Sequence, residues 1–167
     1  GLAAGLLSAV LIVGAKLPPF IATLGVMGIA RGLAFVVTEG RFYDLSSRLP
    51  RDLAPLGLPL GLWPGVLMGA CALAFHGVLT RLALGRHILA SGGNERAARL
   101  AGVRVGRVKF FVYGAAGGLS ALAGVVLAVV QGQGKADLAT GYELDAIAAA
   151  VVGGASLSGG RASVGGA

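Results

Sequence analysis

"FFVYGAAGGLSALAGVVLAVV", residues 110–130, contains no charged residue from end to end. Crossing the hydrocarbon of a bilayer takes about 20 predominantly apolar residues in a helix. The stretch therefore reads as a transmembrane helix, and the rest of the chain agrees with it. Of 167 residues, 56% are hydrophobic, only 13% are charged and 30 are glycine, against roughly 7% glycine in average proteins. Glycine is also more frequent in membrane helices than in soluble ones. The expected fold is an all-α integral membrane protein, a polytopic helical bundle.

Working outward, three further runs approach spanning length: 1–15, which reads as a truncated span; 20–38, "FIATLGVMGIARGLAFVVT"; and about 56–79, "LGLPLGLWPGVLMGACALAFHGVL". A last apolar run, Leu144–Ala155, is too short to cross alone and dissolves into "SLSGGRASVGG". Interrupted helices at membrane depth are tolerated only where they line a cavity or are buried in protein, as in many transporters. Residues 141–160 are thus expected to form a broken or re-entrant helix near the C-terminus. No stretch is long enough to fold alone in water, so 1–167 reads as one partial transmembrane domain. Small residues four apart, Gly28/Gly32, Gly61/Gly65/Gly69 and Gly114/Gly118, are expected to let helices approach closely.

Charge sets the orientation. Between Arg81 and Lys109 stand seven basic residues against the single acid Glu95, whereas 39–56 balances Arg41, Arg48 and Arg51 with Glu39, Asp44 and Asp52. By the positive-inside rule 81–109 is cytoplasmic and 39–56 lies outside, with Pro50 and Pro55 making the outer segment irregular. The net charge of +7 is then a mark of inner loops near anionic lipid, and nucleic acid is not an expected partner.

Inside that basic loop lies "GGNERAARLAGV", 92–103. Asn94 suits an N-cap, Glu95 and Arg99 form an i, i+4 pair in the favourable order, and Gly102 stands where a left-handed residue ends a helix. Residues 95–101 are expected to form about two turns. So short a helix is unstable in isolation and needs something to hold it. Ala97, Leu100 and Ala101 give it a small apolar face suited to a shallow groove, with Arg96 and Arg99 at the rim. On residues alone, a basic loop resting on lipid head groups fits as well.

Enzymatic chemistry finds no support. The nearest approach to a phosphate loop, "GQGKAD" at 132–137, has Val129 where glycine is required and Ala136 where Ser or Thr is required. The lone Cys71 can build neither a disulfide framework nor a cysteine metal site and reads as a packed thiol. His76 and His87 read as structural or interfacial. No metal site, cofactor or catalytic residue is expected. Four polar residues are candidates for a translocation pathway. Arg31 is a charge deep in an apolar run. Gln131, with Gln133, stands at the outer end of the 110–130 helix, where a polar residue also fits simply as the helix exit. Glu143 and Asp145 open the short broken helix; Thr140 and Glu143 have capping-box spacing, which accounts for Glu143 by local structure, whereas Asp145 has no such account.

Three blocks, "PPFIATLGVMGIARGLAFVVTEGR" (18–41), "GRHILASGGNERAARLAGVRVGRVKFFVY" (85–113) and "GYELDAIAAAVVGGASLSGGRASVGG" (141–166), resemble signature stretches of the permease subunits of bacterial ABC importers for ribose, xylose, arabinose and galactosides. The likeness covers nearly the whole chain and departs from it at Ser8 and Ala9, where the family commonly has Asn-Gly. Family members are longer at both ends, so a fragment is expected. The resemblance implies a multi-pass permease of the bacterial inner (plasma) membrane that forms a sugar path with a second permease copy as a homodimer. It implies a periplasmic sugar-binding protein that delivers a ribose-like substrate and a cytoplasmic ABC ATPase subunit that supplies the energy. It also implies that 81–109 is a coupling loop in which Asn94, Glu95, Arg96, Ala97, Ala98, Arg99, Leu100 and Gly102 form the ATPase-coupling helix. An ion-coupled secondary transporter, using Glu143 and Asp145, and a non-transporting membrane scaffold are the competing classes; association with an ATPase separates the first reading from both.

Overall fold

Several helices in this protein begin at proline or end at glycine. A computed structural model describes residues 1–45, 62–156, 159, 160, 162 and 164. The described helices are α1 (Leu2–Val13), α2 (Pro19–Thr38), α3 (Trp63–Arg81), α4 (Ala83–Gly93), α5 (Glu95–Leu100), α6 (Val105–Gln131) and α7 (Tyr142–Val152). Pro19 occupies the first position of α2, where its missing N–H and fixed φ cost nothing. The chain leaves α6 through Gly132, at φ +66°, and enters β2 (Gln133–Gly134), which pairs antiparallel with β1 (Tyr43–Asp44). Leu45 N–H donates to the Gly132 carbonyl at 2.8 Å, extending that tie.

Helices α2, α3 and α6 are each long and apolar enough to cross a membrane. At about 1.5 Å per residue, the 20 residues of α2 match a hydrocarbon core of about 30 Å. The 27 residues of α6 exceed it by roughly a third on the same rise. Their outer faces are apolar, with Val37 of α2 76% exposed and Leu73 of α3 75% exposed. A protein surrounded by water would hide such surface, whereas lipid accepts it.

Two compact units divide the chain: Gly1–Pro64 with Lys109–Ala139, and Gly65–Val108 with Thr140–Ala167. In the first, α1 packs on α2 around buried Ser8, Ala9, Ile12, Ala22 and Val26. The Ser8 hydroxyl donates to the Ala4 carbonyl at 3.0 Å within its own helix, which lets a polar side chain sit in this contact without an orphaned group. α1 also crosses α6 at backbone distance. A Cβ on Gly117 would lie 2.7 Å from the Gly1 carbonyl oxygen and 2.8 Å from Gly5 Cα, and one on Gly5 would strike the Tyr113 carbonyl. In the second unit, Gly85 makes the sharp passage from α3 into α4, where a Cβ would meet the Leu79 and Val78 carbonyls.

These elements refine several expectations. The 110–130 span begins earlier, at Val105, because a helix propagates past the apolar stretch and carries Arg107 and Lys109 beyond it. The 1–15 run is helical from Leu2 to Val13. The 56–79 run is helical from Trp63 to Arg81, while its opening residues, including Gly61, fall outside the described residues along with 46–55 of the outer loop. The basic loop 81–109 is mostly helix, and α4 within it was not anticipated. Of the expected close-packing glycines, Gly28, Gly32, Gly65, Gly69 and Gly118 have nothing within 4 Å of a built Cβ, and Gly114 meets only the end of Leu6. The crossing instead uses Gly1, Gly5 and Gly117, four-residue spacing on one helix meeting a single small residue on the other.

Candidate functional site

The short segment between α4 and α6 is the most sharply defined piece of local structure outside the spans. Asn94 stands between α4 and α5 in extended backbone conformation, and its side-chain oxygen accepts from the Ala97 N–H at 3.0 Å. Glu95 in the first turn and Arg99 in the last are joined by a salt bridge of 2.5 Å, each charge lying at the helix end that favours it. At the far end Gly102 takes φ +82°. Its N–H donates to the Arg99 carbonyl at 3.0 Å, and the Val103 N–H reaches back to the Ala98 carbonyl at 3.0 Å. That pair of bonds is a Schellman cap, which satisfies carbonyls that a helix end otherwise leaves open. These four bonds fix the six residues of α5, offsetting part of the entropy cost that melts short helices.

Burial then splits the helix. Ala98 is buried, as are Val105 and Val108 of α6, which turns one side of α5 towards the protein. Ala97, Leu100 and Ala101 are exposed, Leu100 at 90%, together with Arg96 and Arg99. An exposed leucine between two alanines, with two guanidinium groups beside it, is a surface for shallow contact. The outward face read from periodicity, Ala97, Leu100 and Ala101, leaves Ala98 out, and Ala98 is the residue the fold buries, with α5 packed on α4.

The four pathway candidates are shared between the two compact units. Arg31 lies half-buried at mid-length in α2, and Gln131 at the exposed end of α6, both in the first unit. Glu143 and Asp145 are in the first turn of α7, in the second. Gln133 Nε2 donates to Gln131 Oε1 at 3.4 Å beside the β1–β2 pair. The expected capping box is altered. Gly141, at φ +94°, is the N-cap in place of Thr140, and Glu143 Oε2 accepts from the Gly141 N–H at 3.1 Å. A backbone in the left-handed region suits glycine and not threonine, so only the reaching-back half of the box is made. Asp145 is exposed. His76 and His87 are exposed and Cys71 is half-buried on α3. Lys135 of the failed phosphate-loop match is ion-paired with Asp137 at 3.0 Å. Among the described residues no group of His, Cys, Asp and Glu could hold a metal ion.

Apolar helices of spanning length, with a short capped helix bearing two arginines between them, define a helical membrane protein. The chain belongs to the family described as the branched-chain amino acid transport system / permease component, whose model matches residues 1–164. It is 39% identical over 168 residues to the ribose import permease protein RbsC of Escherichia coli K12, covering 96% of this chain and 51% of that protein. Against RbsC of Bacillus subtilis it is 42% identical over 153 residues, 90% of this chain and 48% of the relative. Against the L-arabinose transport system permease protein AraH of Escherichia coli K12 it is 40% identical over 148 residues, 87% and 44%. The chain thus spans about half the length of the curated relatives it matches. No solved structure matches it. Family membership and three apolar helices of spanning length make this an integral membrane protein.

Proposed function

We propose that this chain is part of the permease subunit of an ABC importer that carries a monosaccharide, ribose or a similar pentose, across the bacterial inner membrane. It does not hydrolyse ATP; a cytoplasmic ATPase subunit does, and a periplasmic sugar-binding protein presents the substrate. A second permease copy completes the path. Residues 81–109 face the cytoplasm and 39–56 the periplasm, and 141–160 form a broken helix near the pathway, with Asp145 and, less directly, Arg31, Gln131 and Glu143 along it. The 11 residues of α7 reach about half-way through the hydrocarbon at helical rise, in keeping with that role.

One observation carries the coupling assignment: α5 is capped at both ends and keeps its Ala97, Leu100 and Ala101 side outward. A rigid short helix transmits a rigid-body push, which a flexible basic loop on lipid head groups does not. The relatives named for ribose and arabinose import support the substrate class. The test is reconstitution of the full-length protein in vesicles with its co-purifying ATPase and binding protein. ATP-dependent uptake of ribose or arabinose is expected. Uptake driven by an ion gradient without ATP would make this a secondary transporter, and absence of both uptake and ATPase association would make it a scaffold.

A further inference from the structure

The last turn of α4 meets the segment beyond α7 backbone to backbone, within one compact unit. A Cβ on Gly92 would lie 3.1 Å from Gly160 N, and one on Gly93 would lie 3.4 Å from Gly160 Cα. From the other side, a Cβ on Gly160 would lie 2.8 Å from Gly93 Cα, and one on Gly159 would strike the Gly92 carbonyl. Gly159 and Gly160 both take positive φ, +82° and +78°, a conformation costly for any residue with a Cβ. Two glycine pairs therefore touch with no side chain between them.

We infer that this glycine joint is the mechanical link between α5 and the broken helix. Gly93 is followed directly by Asn94, the cap of α5, and residues 159 and 160 follow α7 by one short segment. Side-chain contacts can absorb displacement by changing rotamer, but backbone packed on backbone has no such slack, so a shift at one side is carried to the other. The joint gives α5 a route to the segment bearing Glu143 and Asp145 that does not run through α6. The transmission role rests on the proposed coupling function; the joint itself does not.

Two measurements on the full-length protein in membranes separate them. Hydrogen exchange of residues 94–101 is compared in Gly92→Ala, Gly160→Ala and Gly154→Ala. Gly154 shares the positive φ, at +88°, but has nothing within 4 Å, so it isolates backbone strain from lost contact. The joint predicts about ten-fold faster exchange in the first two and none in the third. Unchanged exchange in Gly92→Ala, or equal change in all three, overturns it, and Gly92→Ala decides the matter should Gly160→Ala fail to assemble. Sugar taken up per ATP hydrolysed is then measured for the same variants. A lowered ratio in Gly92→Ala with the ATPase still bound is expected, and a normal ratio overturns transmission. Absence of ATP-driven uptake in the unaltered protein would overturn the importer reading, while the exchange result would still decide the joint.

Discussion

Asn94 and Gly102 hold α5 from opposite ends, the one by accepting the Ala97 N–H at 3.0 Å and the other by turning to φ +82° so that two N–H groups reach back into the helix. Asn94→Ala removes the first of these. It should cost about 1 kcal/mol of local stability, the usual scale for an N-cap, with Asn94→Ser restoring most of it. Hydrogen exchange across 95–101 checks this, and equal exchange in Asn94→Ala and the unaltered protein would show that packing alone holds the helix.

Altering the two sides of α5 should have unequal effects in the full transporter. Ala97→Trp overfills a close contact and should separate ATP hydrolysis from uptake. Gly102→Val forces a β-branched residue into the left-handed region and should do the same by unmaking the cap. Arg99→Gln loses an exposed pair with Glu95, worth no more than about 0.5 kcal/mol, and should change little. A lipid-resting loop predicts the opposite order, since it uses the arginine charge and accepts a tryptophan at the interface. Uptake and ATPase stimulation for the three variants distinguish the two.

Cysteines at Phe42 and Arg96, in a Cys71→Ala background, should label with an impermeant reagent from opposite sides of the membrane. Both residues are exposed. Labelling of both from one side removes the orientation and the coupling assignment together.

In α7, Asp145→Asn should reduce sugar uptake with the protein still assembled. Glu143→Gln should keep uptake and lose at most about 1 kcal/mol of stability, because it disturbs a bond to the Gly141 N–H. Full uptake in both variants would take α7's acidic residues out of the pathway.

At the α1–α6 crossing, Gly117→Val should abolish assembly, because its Cβ already meets Gly5 Cα at 2.8 Å, whereas Gly118→Val, next to it with nothing within 4 Å, should be tolerated. Yield of folded protein in detergent, compared between these neighbours, checks it.

That pair also shows where sequence reading stops. Apolar runs announced the spans, and the caps of α5 were readable because they depend on residues within five positions of one another. Which glycine in "GAAGG" is the crowded one depends on α1, over a hundred residues earlier, and spacing favoured Gly114 and Gly118 when the contact falls on Gly117. Gly92 and Gly160 escaped for the same reason: each is ordinary in its own stretch, and only the fold sets them against each other. α4 was missed because the basic residues around it made the stretch read as loop.

The strand pair of Tyr43–Asp44 with Gln133–Gly134 has a consequence of parity. Residues that hydrogen-bond to one another share a side of the membrane, so the chain that leaves at Asp44 and returns at Gln133 must cross an even number of times. The two described helices of spanning length in that interval, α3 and α6, satisfy that parity. Four paired residues thus constrain the route of nearly ninety others.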